Sequence, residues 1–114
     1  MMAQPQMTPE QQEDLQRYQQ LAQQLDVMGR QIQQLELEKR DLEIAKKETK
    51  DMDDSAVIYR SAGRLLFQTS LEEVNKYVAE EHEKVEVRLS SLTNRQNKLV
   101  ASFKELQAKL SGSQ

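Results

Sequence analysis

The 114-residue chain has no cysteine and no tryptophan, two prolines, three glycines, and an aromatic content of 4%. Without cysteine there are no disulfides and no thiolate-held metals, which agrees with a reducing compartment, and the cytoplasm is the expected location. So few prolines, glycines and aromatics argue against a sandwich, a barrel or a collagen, all of which need regular turns or a glycine period. No apolar run approaches the ~18 residues that a membrane-crossing helix requires, so no membrane partner is expected. Met1 to Pro9 carries neither positive charge nor an apolar stretch, and it is not expected to act as a signal peptide. A basic excess is missing too: 16 Lys and Arg stand against 19 Asp and Glu, a net charge of −3. Binding nucleic acid calls for a basic patch or stripe that neutralises phosphates, so nucleic acid is not an expected partner.

What remains is a charged, glutamine- and leucine-rich chain with strong periodicity. A first helix is predicted over residues 9–52. Thr8 and Gln11 form a capping box around Pro9, which suits the first helical position. Tyr18, Leu21, Leu25, Met28, Ile32 and Leu35 recur at alternating steps of three and four, the signature of a heptad seam. The seam continues through Leu42 with Lys39 and Lys46 at the intervening positions, while Leu37 and Ile44 begin an apolar line on another face. Gly29 lies within the helix at a cost of about 1 kcal/mol relative to alanine, and tolerance in a long element is favoured over a flex point between arm and base.

Residues 56–69 differ in composition and read as a β-hairpin, with strands Val57 to Ser61 and Leu65 to Thr69 turning near Gly63. Gly63 supplies the positive φ such a turn needs. Val57, Tyr59, Leu65 and Phe67 are expected on one face, against Ile58 and Leu66 on the other. An isolated hairpin is marginal in water, and one with two apolar faces and free edges invites further strands. Pairing with hairpins of other subunits is therefore expected.

A second helix is predicted over residues 71–110, opened by a Ser70–Glu73 capping box and stopped at Gly112. Leu71, Val78, Val85, Leu92, Leu99 and Leu106 are spaced by seven, with Asn75, His82, Leu89, Gln96, Phe103 and Leu110 as companions. Glu72–Lys76, Glu80–Lys84 and Glu105–Lys109 stand at helix-supporting spacing. The hairpin reverses the chain, so the helices are expected to pair antiparallel.

Little here carries catalysis. His82 pairs at most with Glu86, short of the three or four ligands a metal needs, and register-setting in the seam is the favoured role. Gly29, Gly63 and Gly112 are isolated and form no phosphate loop. No nucleophile has a positioned base, so no enzyme and no cofactor are expected. At the chain ends, Met1, Met2 and Met7, then Leu15, Tyr18 and Leu21, meet Phe103, Leu106 and Leu110. Either they form an adaptable apolar tip, for which methionine is suited, or the leucines simply close the seam and the first residues fray. A structural tether or adaptor would explain the heptads, but it explains the two-faced hairpin poorly.

The heptad helix, the stretch Tyr59-Arg-Ser-Ala-Gly63-Arg-Leu-Leu-Phe67 and the second heptad helix resemble the β class of prefoldin. Leu71-Glu-Glu-Val and Val85-Glu-Val-Arg-Leu resemble its second helix. The resemblance runs from about Gln11 to Leu110, and its specific part is the single hairpin between helices of matched length. It implies a mainly α fold: a long antiparallel two-helix coiled coil joined by one β-hairpin, in a single domain over residues 9–110 between a flexible N-terminus (1–8) and tail (111–114). It implies a hexamer of two α-class and four β-class subunits whose hairpins assemble into a β-barrel platform. In this chain that platform would use Val57, Ile58, Tyr59, Gly63, Leu65, Leu66 and Phe67. It further implies an ATP-independent chaperone that captures unfolded client proteins at its coiled-coil tips and passes them to a group II chaperonin.

Overall fold

The computed structural model describes residues 6–112. Helix α1 spans Pro9–Thr49, strand β1 Ile58–Ala62, strand β2 Leu65–Thr69 and helix α2 Leu71–Leu110. The fold is mainly α, with one two-stranded antiparallel hairpin between two long helices. The chain divides into two compact units: one joins the residues through Ile32 to those from Ser91 onward, and the other is Gln33–Ser90.

The capping box at the start of α1 forms in both directions. The Gln11 N–H donates to Thr8 Oγ1 at 3.1 Å, and the Thr8 N–H donates to Gln11 Oε1 at 2.9 Å. In the first unit, Leu21, Met28 and Leu106 are buried, flanked by half-buried Leu25, Ile32, Leu92, Leu99 and Leu110. Tyr18 and Phe103 stack with ring centroids 4.5 Å apart and planes inclined by 17°. Lys109 bridges to Asp14 at 2.9 Å and to Glu10 at 3.3 Å. These contacts run in opposite chain order, so the helices here are antiparallel.

In the second unit, the core is Leu71, Val78 and Val85 of α2. Lys39 Nζ lies 3.8 Å from Glu86 Oε1, and Thr49 Oγ1 lies 3.5 Å from Asn75 Oδ1, again in antiparallel order. The seam departs from the expected heptad at two places. On α1, Ala45 rather than Lys46 turns inward, and buried Thr49 follows it. Leu42 and Thr49 keep the seven-residue spacing, and taking Ala45 as the position between them keeps the lysine charge in water. On α2, Val74 is half-buried and Asn75 is exposed, since an apolar side chain is cheaper to desolvate than an amide.

Helix α1 ends at Thr49, not at the expected Met52. The Lys50 N–H bonds back to the Lys47 carbonyl and the Met52 N–H to that of Thr49, so the chain tightens into turns. The Thr49 hydroxyl donates to the carbonyls of Ala45 (2.9 Å) and Lys46 (3.2 Å). Asp51, Asp53 and Asp54 follow, and carboxylates are disfavoured at a helix C-terminus. At the start of α2 only half of the expected box forms: the Glu73 N–H donates to Ser70 Oγ at 3.2 Å, while the Glu73 carboxylate accepts from Thr69. The expected intrahelical pairs are also redistributed. Lys84 pairs with Glu81, and Lys109 crosses to the other helix.

The strands pair Ile58 with Thr69, Arg60 with Phe67 and Ala62 with Leu65. That register leaves Gly63-Arg64 as a two-residue loop. Gly63 has φ 62°, and no other kind of residue described here has a positive φ, which is the pattern of a type II′ turn. The strand β1 therefore begins at Ile58, one position later than expected.

Candidate interaction surfaces

The hairpin register decides which side chains share a face. Ile58, Arg60, Leu65, Phe67 and Thr69 lie on one side, and Tyr59, Ser61, Leu66 and Gln68 on the other. This corrects the expected grouping of Tyr59 with Phe67. The turn pairs Ala62 directly with Leu65, and a one-residue difference in register exchanges the faces of a strand. Both faces nonetheless carry apolar groups. Val57, Tyr59, Leu65, Leu66 and Phe67 are 52% to 69% exposed, and among the described residues neither strand has a second neighbour. Two free edges beside that much apolar surface form a surface suited to strand addition.

Two polar contacts tie the hairpin to α2. The Arg60 guanidinium carbon lies 4.1 Å from the centre of the Tyr77 ring, and Thr69 Oγ1 donates to Glu73 Oε2 at 2.9 Å. Sequence reading assigned Glu73 to the capping box with Ser70 and singled out no contact of Arg60, Thr69 or Tyr77. The signal that was available is that Glu73 and Tyr77 stand one helical turn apart on a single stripe. Leu37 and Ile44 remain on the surface of the same unit, as their separate line implied.

In the first unit the expected tip residues divide. Leu21 and Leu106 are buried in the seam, Tyr18 and Phe103 cover each other, and Leu110 is half-buried. Met7 and Leu15 are exposed. Met1 and Met2 lie outside the described residues. The Lys109 ammonium donates hydrogen bonds to Asp14 and to Glu10, and these hold it above the ordinary lysine pKa.

His82 lies between two carboxylates, 3.5 Å from Glu86 and 4.0 Å from Glu43. No group of three or more His, Cys, Asp or Glu among the described residues could hold a metal ion. No helix among them is long and apolar enough to cross a membrane.

The family model for the prefoldin subunit matches residues 12–114. The chain belongs to the prefoldin family. It is 37% identical to the prefoldin subunit beta of Archaeoglobus fulgidus, across 81% of this chain and 79% of that one. It is 30% identical to that of Methanosarcina acetivorans, across 90% and 87%. The crystal structure of the prefoldin beta subunit from Thermococcus strain KS-1 superposes with a TM-score of 0.84 at 29% identity, covering 96% of each chain. The match is thus to the β class, as the single hairpin implied. Prefoldin subunits are chaperone subunits that assemble as oligomers, and a chaperone role is what membership implies for this chain.

Proposed function

We propose that this chain is the β-type subunit of a prefoldin hexamer, acting in the cytoplasm with two α-class subunits and three further copies of itself. The hairpins join into a β-barrel platform through Val57, Ile58, Tyr59, Leu65, Leu66 and Phe67, with Gly63 holding the turn. The assembly captures unfolded client proteins without ATP and passes them to a group II chaperonin. The observation that carries this reading is the hairpin itself: apolar on both faces, more than half exposed, and open at both edges. Burial of such a surface in further strands satisfies its backbone groups and removes its apolar area from water.

Client capture is assigned to the first unit and to the chain ends. Met7 and Leu15 offer exposed apolar contact beside Leu110, and Met1 and Met2 extend the same set. Tyr18, Leu21, Phe103 and Leu106 support the seam beneath these residues. Weak contacts repeated on several subunits hold a client by effective concentration, and each releases easily.

The test is the mass and composition of the complex that copurifies with this chain from its native cells, followed by client protection. A hexamer-sized particle with a two-hairpin partner supports the reading, as does reduced suppression of client aggregation by the double variant Met7→Ser, Leu15→Ser in an intact complex. A homodimer, or a complex with one unrelated elongated protein, would favour a tether instead.

A further inference from the structure

We infer that Arg60 and Tyr77 are positioning residues for assembly: their cation–π contact sets the angle of the hairpin on α2, so that its edges are presented ready to pair. The inference rests on the hairpin-mediated assembly proposed above and adds a device that the strands themselves lack. A two-stranded hairpin has no internal core to hold it in place. Its only covalent ties are the loop after α1 and the junction at Ser70. Its orientation must therefore come from side-chain contacts with the helices.

The geometry assigns those contacts to one face. Ile58 pairs with Thr69 and Arg60 with Phe67, so Arg60 and Thr69 project from the same side of the hairpin. Thr69 reaches Glu73 at 2.9 Å, and Arg60 lies over the Tyr77 ring at 4.1 Å. Glu73 and Tyr77 are one turn apart on α2. One contact comes from each strand, and the two land on one stripe of the helix. Two such points of attachment restrict rotation of the hairpin in a way that neither does alone.

The choice of partner for Arg60 is informative. Glu72, Glu73, Glu80 and Glu81 are all on the first turns of α2, yet no ion pair of Arg60 occurs among the described residues. The guanidinium lies on the ring instead. Tyr77 is 41% exposed, so its ring is not held in place by a surrounding core. A flat guanidinium stacked on an aromatic face is directional, and salt screens it less than it screens a surface ion pair. An orienting contact benefits from both properties. Losing it leaves the strands and helices intact but increases the freedom the hairpin must give up on pairing, so the penalty appears in assembly.

Full-length Arg60→Gln, Tyr77→Leu, Tyr77→Phe and the double variant Arg60→Gln, Tyr77→Leu are each expressed with a tag in the native cells and purified with the subunits they hold. Stepwise dilution followed by mass photometry gives the concentration at which each complex half-dissociates. Helix melting of the separated chain is measured by circular dichroism. Arg60→Gln and Tyr77→Leu are each expected to raise the half-dissociation concentration by about threefold to tenfold. The double variant should do no worse than either, Tyr77→Phe should match the unaltered chain, and helix melting should be unchanged. Unaltered assembly in both single variants, or losses that simply add, would overturn the positioning role while leaving the assembly reading in place. If the unaltered chain forms no complex at all, the assembly reading fails, and the inference fails with it.

Discussion

Leu106 and Lys109 sit one turn apart and do different work. Leu106 is 7% exposed in the first unit, where the core is a single row of side chains, with none below 2% exposure among the described residues. Leu106→Ala should destabilise the chain by about 2–3 kcal/mol, read from denaturant unfolding, because the void at a seam is only partly refilled. Lys109 is exposed and acts through charge. Its folded pKa is raised by Asp14 and Glu10, so its stabilisation is present below the ordinary lysine pKa and is lost as pH rises through the folded value. Lys109→Met should therefore lower the melting temperature at neutral pH and low salt. The difference should shrink in about 1 M salt and vanish at strongly alkaline pH. A difference independent of both would point to lost packing of the lysine stem.

Among the elements, helices were legible and strand faces were not. The heptad positions from Tyr18 to Leu35 and from Val78 to Leu106 turn inward as their spacing requires, because a helix has a fixed period and the apolar residues follow it. The departures, Ala45 and Val74, both fall near the helix ends that flank the hairpin, where the chain leaves the regular helical period. Strand faces depend on register, and register depends on a turn whose type follows from which residue takes the positive φ. Gly29 supplies the test at this scale. Helix α1 runs through it without a break, and a Cβ placed there meets nothing within 4 Å. Gly29→Ala should stabilise the chain by about 1 kcal/mol, seen as a melting temperature higher by about 4 °C. A loss of stability or of client protection would instead identify Gly29 as a flex point.

Among the described residues, Val57, Tyr59, Leu65, Leu66 and Phe67 of the hairpin segment are each more than half exposed, and the decisive variant belongs there. Phe67 is 52% exposed in the single chain, so Phe67→Asp should leave helix content and melting of the separated chain nearly unchanged. In the proposed platform the same carboxylate would be desolvated without a partner, which is costly. Sedimentation should then show loss of the hexamer-sized particle. An unchanged assembly size would remove Phe67 from the interface. The tip residues show why sequence alone divided the site poorly. Nine apolar residues near the chain ends were grouped by proximity, yet an apolar residue on a seam and one beside it look alike until the partner helix is in place.

The sequence by itself determined the element order, the two caps that open the helices, the turn glycine, the heptad seam and the family, because these rest on short-range period and local stereochemistry. Tertiary structure decided where the charges go, as with Lys109 reaching Asp14 rather than Glu105, and which apolar groups stay uncovered. It also decided that Arg60 meets a ring rather than a carboxylate. Those choices depend on groups far apart in the chain competing for the same space, and no local pattern records the outcome of that competition.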